Sequence, residues 1–262
     1  FGAMLIPLLM TAQLDRSRPP APGPAPTVRV GTHAATTLPN GLRLIVVEDH
    51  KLPMGSVQVR FDVPPLAQKD KAGYVDLFGE LLITGAGQRS KADIDQAVDA
   101  IGATLFTGND GLFATALTKN LEPLLAIVGD VVKDPTFPEE ELAHARVRAN
   151  AAVQQRQDDP EAVAEVVGRA MLFGRSHPYG EVTTGRTLAA IERPVMLAYH
   201  RQFFRPENGY LVFVGDITEK EAKDLAKAHF GKWKPQPSSS STDQYGRTLV
   251  QDLGVLDVLK DP

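Results

Sequence analysis

Ser56–Val63 (SVQVRFDV) alternates polar and apolar residues along its whole length. Side chains in a strand point to opposite faces with a period of two, so this segment predicts a strand with one covered face and one wet face. A one-sided strand needs a sheet whose covered face is closed by another layer, which directs the chain towards a mainly antiparallel, layered fold.

The remaining segments supply both layers. Leu42–Val47 (LRLIVV) reads as a mostly buried strand, preceded by Ala35–Leu38 across an Asn40-Gly41 turn. Ala103–Thr107 and Leu112–Leu117 read as two further strands around Gly108-Asn109-Asp110-Gly111, a strong turn signal. Apolar residues at helical spacing mark Ala72–Ile83, Lys91–Ile101 and Leu121–Lys133 as helices. Glu139–Asp158 reads as a long polar helix continued after a break by Pro160–Phe173, Pro194–Phe204 and Glu219–Phe230 read as further helices, and Glu207–Gly215 reads as a buried strand. Gly85 and Gly87 are expected to close the first helix as a C-cap. The fold class is α+β: a mainly antiparallel sheet with helices packed on one side.

Three stretches divide the chain: 1–33, an apolar arm followed by a proline-rich spacer; 34–234, the compact body; and 235–262, a serine-rich linker and tail. The apolar run Met4–Ala12 is too short to span a bilayer and is interrupted by Pro7, so no stable membrane span is expected. It resembles a signal-peptide core, and with the spacer and the lack of cysteine it favours a periplasmic or secreted location. Lys and Arg total 28 against 32 Asp and Glu, a net charge of −4, which argues against general nucleic-acid binding. Without cysteine there is no thiol nucleophile, no iron–sulfur cluster and no Cys-ligated zinc. The six histidines are His33, His50, His144, His177, His200 and His229.

The order of motifs resembles the M16 (insulinase, or mitochondrial-processing-peptidase-like) metallopeptidases. It rests on TLPNGLRLIVVED, AGYVDLFGELLITGAG, DPTFPEEELAHAR, RQDDPEAVAE, HPYG at His177–Gly180, RPENGYLVFVGD and FGKW, covering residues 34–234. The resemblance implies one half-unit of the processing-peptidase-like architecture, an N-terminal-type domain. It also implies a helix bearing His-x-x-Glu-His, in which the two histidines, one turn apart, hold zinc. The glutamate activates the zinc-bound water, and a glutamate on a later helix is the third ligand.

Laid on that pattern, the first histidine position is Asp76, the base position Gly79, the second histidine position Glu80, and the later ligand falls near Ala152. Glycine takes no proton and alanine ligates no cation. Asp76 and Glu80 are expected to be solvated or capped acids, and the catalytic set and the metal site are both expected to be none, with no zinc cofactor. The sequence contains neither H-x-x-E-H nor H-E-x-x-H, nor a G-x-S-x-G elbow, a P-loop or a dinucleotide fingerprint. His144 is expected on a polar helix, His200 and His229 on exposed or half-buried helix faces, and His177 in a structural turn.

The resemblance further implies a peptide-docking edge at Ala103, Thr104, Leu105, Phe106, Thr107 and Asn109, where an unfolded peptide adds as an extra strand. Chains of the family without the zinc motif resemble the non-catalytic partner of a two-chain peptidase. The expected role is a peptide-binding or assembly subunit, paired with a catalytic M16 chain or with itself. A working zinc endopeptidase and a standalone scaffold are the alternatives.

Overall fold

The structure is a computed structural model that describes residues 33–234. The expectations for the apolar arm, the spacer and the tail lie outside these residues. The described chain runs β1 (Ala34–Thr37), β2 (Arg43–Glu48), β3 (Met54–Phe61), α1 (Tyr74–Leu81), β4 (Gly85–Ala86), β5 (Arg89–Ser90), α2 (Lys91–Ala100), β6 (Thr104–Gly108) and β7 (Gly111–Leu117). It continues with α3 (Leu121–Lys133), α4 (Glu139–Arg156), α5 (Pro160–Phe173), α6 (Gly185–Ala189), α7 (Arg193–Phe203), β8 (Gly209–Gly215) and α8 (Glu219–Phe230).

Six strands form one sheet in the order β1-β2-β8-β3-β7-β6, antiparallel throughout except for the parallel β2–β8 pair. Alternation places Leu44, Val46, Val57, Val59, Leu211, Phe213 and Ala114 on one face, all buried. Against them pack Leu124, Leu125, Val128 and Val132 of α3, Phe78 and Leu81 of α1, and Phe230 of α8. The opposite face carries Arg43, Gln58, Arg60, Tyr210 and the exposed Phe106 and Phe113. The helices therefore cover one side, as the alternation in β3 requires.

β3 sits two residues earlier than the alternating segment. Pro64 and Pro65 offer no N–H to a ladder, and the neighbouring β8 itself begins at Gly209, opposite Phe61. Helix starts follow local chemistry. Ser90 and Asp93 cap α2 reciprocally, Thr218 and Glu221 do the same for α8, and Asp159 with Pro160 opens α5.

Two expectations are corrected here. Gly85 and Gly87 do not cap α1, which already stops at Leu81 with Leu82 still in helical conformation. Instead β4 and β5 pair as a small hairpin whose turn places Gly87 at φ +58°. α6 was not foreseen; Thr184 and Thr187 form its capping box, and five residues are too few to show a periodicity.

Candidate functional site

The site begins at the loop before α1. Glu181 accepts the backbone N–H groups of Gln68 at 2.7 Å and Lys69 at 2.6 Å. The Gln68 side-chain oxygen in turn accepts from the N–H groups of Gly73 at 2.9 Å and Val75 at 3.1 Å, occupying donors that a helix start leaves free. Thr187 donates its hydroxyl to the Ala72 carbonyl at 2.8 Å. These ties fix the start of α1, and with it the face that carries Asp76, Gly79 and Glu80.

The three positions differ sharply in their surroundings. Glu80 is exposed and pairs with Arg148 of α4. It is thus an ion-paired surface acid, where a merely solvated or capped one was expected. Asp76 keeps an open side to solvent, yet its carboxyl lies low enough against the protein for lost hydration to raise it above the usual carboxylate range. Gly79 is buried against the β6–β7 turn, and its carbonyl accepts the Thr107 hydroxyl at 2.7 Å. A Cβ at residue 79 would stand 2.8 Å from the Asn109 nitrogen and 2.9 Å from the Gly108 carbonyl carbon. Ala152 is an exposed residue of α4.

These residues do not fit a zinc ion of the family's kind. Position 79 has neither a base nor room for one, Glu80 is engaged by a guanidinium, and residue 152 has no donor. Among the described residues no group of three His, Asp or Glu side chains is placed to hold a metal.

The turn itself is held from several sides. Tyr199 of α7 donates its hydroxyl to the Asn109 carbonyl at 2.9 Å. Burial, then the neighbouring Tyr74, Asp110 and Asp76, keep that phenol protonated well past its ordinary range. The Asp110 carbonyl accepts the Phe61 N–H at 2.8 Å, and its carboxylate pairs with Arg60.

β6 lies at the edge of the six-stranded sheet and pairs only with β7 among the described strands. An edge strand presents backbone N–H and C=O groups on its outer side. Of the residues expected there, Thr104, Leu105, Phe106 and Thr107 lie on β6. Thr104 and the 64% exposed Phe106 point to the open face, whereas Leu105 and Thr107 point towards the helices. Ala103 precedes the strand, its N–H spent on the Val98 carbonyl at 3.1 Å, and Asn109 belongs to the turn. Neither is part of the edge ladder.

The histidines lie elsewhere. His200 is buried, contrary to the exposed or half-buried face expected, because α7 turns it towards α3, where its Nε2 meets the Val132 carbonyl at 2.8 Å. His229 is half-buried on α8 and His144 is exposed on α4. His177 lies with Phe173 and Tyr179 in a small aromatic cluster after α5. Arg148, Glu181 and Tyr199 were missed, since each acts through a partner far along the chain, and Gln68 because a glutamine capping donors five and seven residues ahead matches no standard cap spacing.

Comparison with known proteins bears on this arrangement. The family described as "Peptidase M16 inactive domain" matches residues 190–254, which take in α7, β8 and α8 and continue beyond the described residues. An uncharacterized zinc protease of Mycobacterium leprae is 30% identical over 206 residues, spanning 75% of this chain and 45% of that protein. The chain resembles the M16 peptidases over most of its body. Its fold is that of an M16 half-unit. A solved M16 inactive domain from Pseudomonas fluorescens superposes with a TM-score of 0.70 at 21% identity, covering 80% of this chain and 53% of that one. The periplasmic protease PqqL of Escherichia coli superposes with a TM-score of 0.65 at 18% identity, covering 80% of this chain and 25% of PqqL. The chain thus spans a little under half the length of its mycobacterial relative.

Proposed function

We propose that residues 34–234 form a non-catalytic M16 half-unit of the N-terminal type, which docks an extended peptide along β6 and works within a larger peptidase assembly. The observation that carries this reading is Gly79. The residue at the base position has no side chain and is packed against backbone, so it cannot take a proton from water. With glycine there, an acidic ion pair at 80 and alanine at 152, the chain is expected to carry no zinc of its own.

The edge of β6 supports the peptide reading. Backbone pairing supplies sequence-tolerant affinity, and Phe106 with Phe113 offers an aromatic surface on the open face. The relatives' greater length supports the assembly reading. Closing a chamber around a peptide then requires a second half-unit, from a catalytic M16 chain or a second copy. The apolar arm, the proline-rich spacer and the lack of cysteine support a periplasmic or secreted setting, and no helix among the described residues is long and apolar enough to cross a membrane.

Zinc content and hydrolysis of unfolded peptides, measured on the purified chain with and without chelator, test the proposal. Less than about 0.1 zinc per chain and no chelator-sensitive cleavage are expected. Stoichiometric zinc with chelator-sensitive turnover overturns the non-catalytic reading. Co-purification with a chain bearing an intact H-x-x-E-H motif, and its loss on deleting that motif-bearing chain's gene, tests the partner.

A further inference from the structure

We infer that residue 79 has become a packing seat: the β6–β7 turn fills the space a base side chain would need, so the His-x-x-Glu-His pattern cannot be written back into this chain without displacing the hairpin.

The argument is steric. A Cβ at 79 would approach two backbone atoms, the Asn109 nitrogen at 2.8 Å and the Gly108 carbonyl carbon at 2.9 Å. Backbone cannot rotate aside as a flexible side chain can, so either α1 or the turn has to move. The turn has little freedom to retreat. Thr107 ties it to the Gly79 carbonyl at 2.7 Å, Tyr199 holds the Asn109 carbonyl at 2.9 Å, and Phe61 holds the Asp110 carbonyl at 2.8 Å. Gly111, which ends the turn at φ +147°, has no room for a side chain against the Val59 backbone. α1 is fixed at its start by Gln68, Glu181 and Thr187. Positions 76 and 80 differ, being exposed on the same helix face.

Whether or not a peptide docks on β6, three neighbouring positions should then respond unequally. The test compares full-length D76H/E80H, which restores both histidines and keeps Gly79, with D76H/G79E/E80H, which restores the whole motif. The double variant is expected to melt within about 2 °C of the parent, since it loses only a surface pair. Adding G79E is expected to lower the melting temperature by at least about 6 °C and to speed amide exchange across the hairpin at least about tenfold.

Should the triple variant yield no folded protein, G79A and T107V carry the test. G79A inserts only the Cβ, and T107V removes only the hydroxyl bond, while T107S retains it. Both G79A and T107V should speed exchange in the hairpin, and T107S should restore the parent rate. A triple variant with parental melting and exchange, or G79A indistinguishable from the parent, overturns the inference. So does a double variant that loses as much stability as the triple.

Discussion

Tyr199 and Asn109 are joined across 90 positions of sequence by a 2.9 Å hydrogen bond from phenol to backbone carbonyl. The bond ties α7 to the β6–β7 turn. Tyr199→Phe keeps the ring, which packs on Phe78 at 4.4 Å between centroids, and removes only the donor. A loss of about 1–2 kcal/mol is expected, because a part-buried carbonyl is left without its partner. Thermal unfolding checks the size. Hydrogen exchange should show the loss concentrated in the hairpin.

Phe78, fully buried, touches Phe137, Tyr199 and Phe204 and is one of the residues through which α1 joins the core, with Tyr74, Leu77 and Leu81. Phe78→Ala should destabilise by about 3–5 kcal/mol, the cost of an aromatic-sized cavity. Denaturant titration provides the measurement. A change below about 1 kcal/mol would show that α1 closes over the gap.

His200 is nearly buried, and loss of hydration lowers its pKa below the usual imidazole value, outweighing the Val132 carbonyl that favours the proton. The unfolded chain therefore binds a proton at higher pH than the folded one. The neutral ring's contribution is complete above about pH 6.5 and is lost as pH falls through the lowered folded value. Stability measured from pH 7 down to pH 5 should decline, and His200→Gln should flatten part of that decline.

His50 and Asp216 behave oppositely. Their 2.7 Å contact, with Glu48 near the other ring nitrogen, raises the imidazole and lowers the Asp216 carboxyl. The imidazolium contribution is present below about pH 6.5 and disappears as pH rises through the raised folded value. The carboxylate side is present above Asp216's ordinary range and is lost as pH falls through its lowered value. Ring-proton NMR should place the His50 midpoint above the ordinary imidazole value of about 6.5, and Asp216→Asn should bring it down.

The sequence discloses this fold where its signals are local. α3, α5 and α8 begin and end at the residues expected for them, and the Gly108–Gly111 signal places the hairpin. Short elements escaped: α6 is too brief for a period, and Gly85 and Gly87 in a hairpin read like a helix stop. At the site, the residue types at 76, 79 and 80 were legible, but what they touch was not. Arg148 meets Glu80 across 68 positions, and nothing near Gly79 in sequence announces that a turn will rest on it. His200 was misplaced for a related reason. Its neighbours in AYHRQF look amphipathic, and only the packing of α7 on α3 decides which side is inward.

The clamp that Glu181 places on Gln68 and Lys69 also bears on how the chain assembles. As the ribosome delivers it, the loop leading into α1 emerges with the Gln68 and Lys69 amides uncovered, and the acid that secures them arrives 112 to 113 residues later. The lead-in to the helix where M16 peptidases carry their zinc motif thus locks late, and a nascent chain stalled before Glu181 should expose that loop to proteases and chaperones.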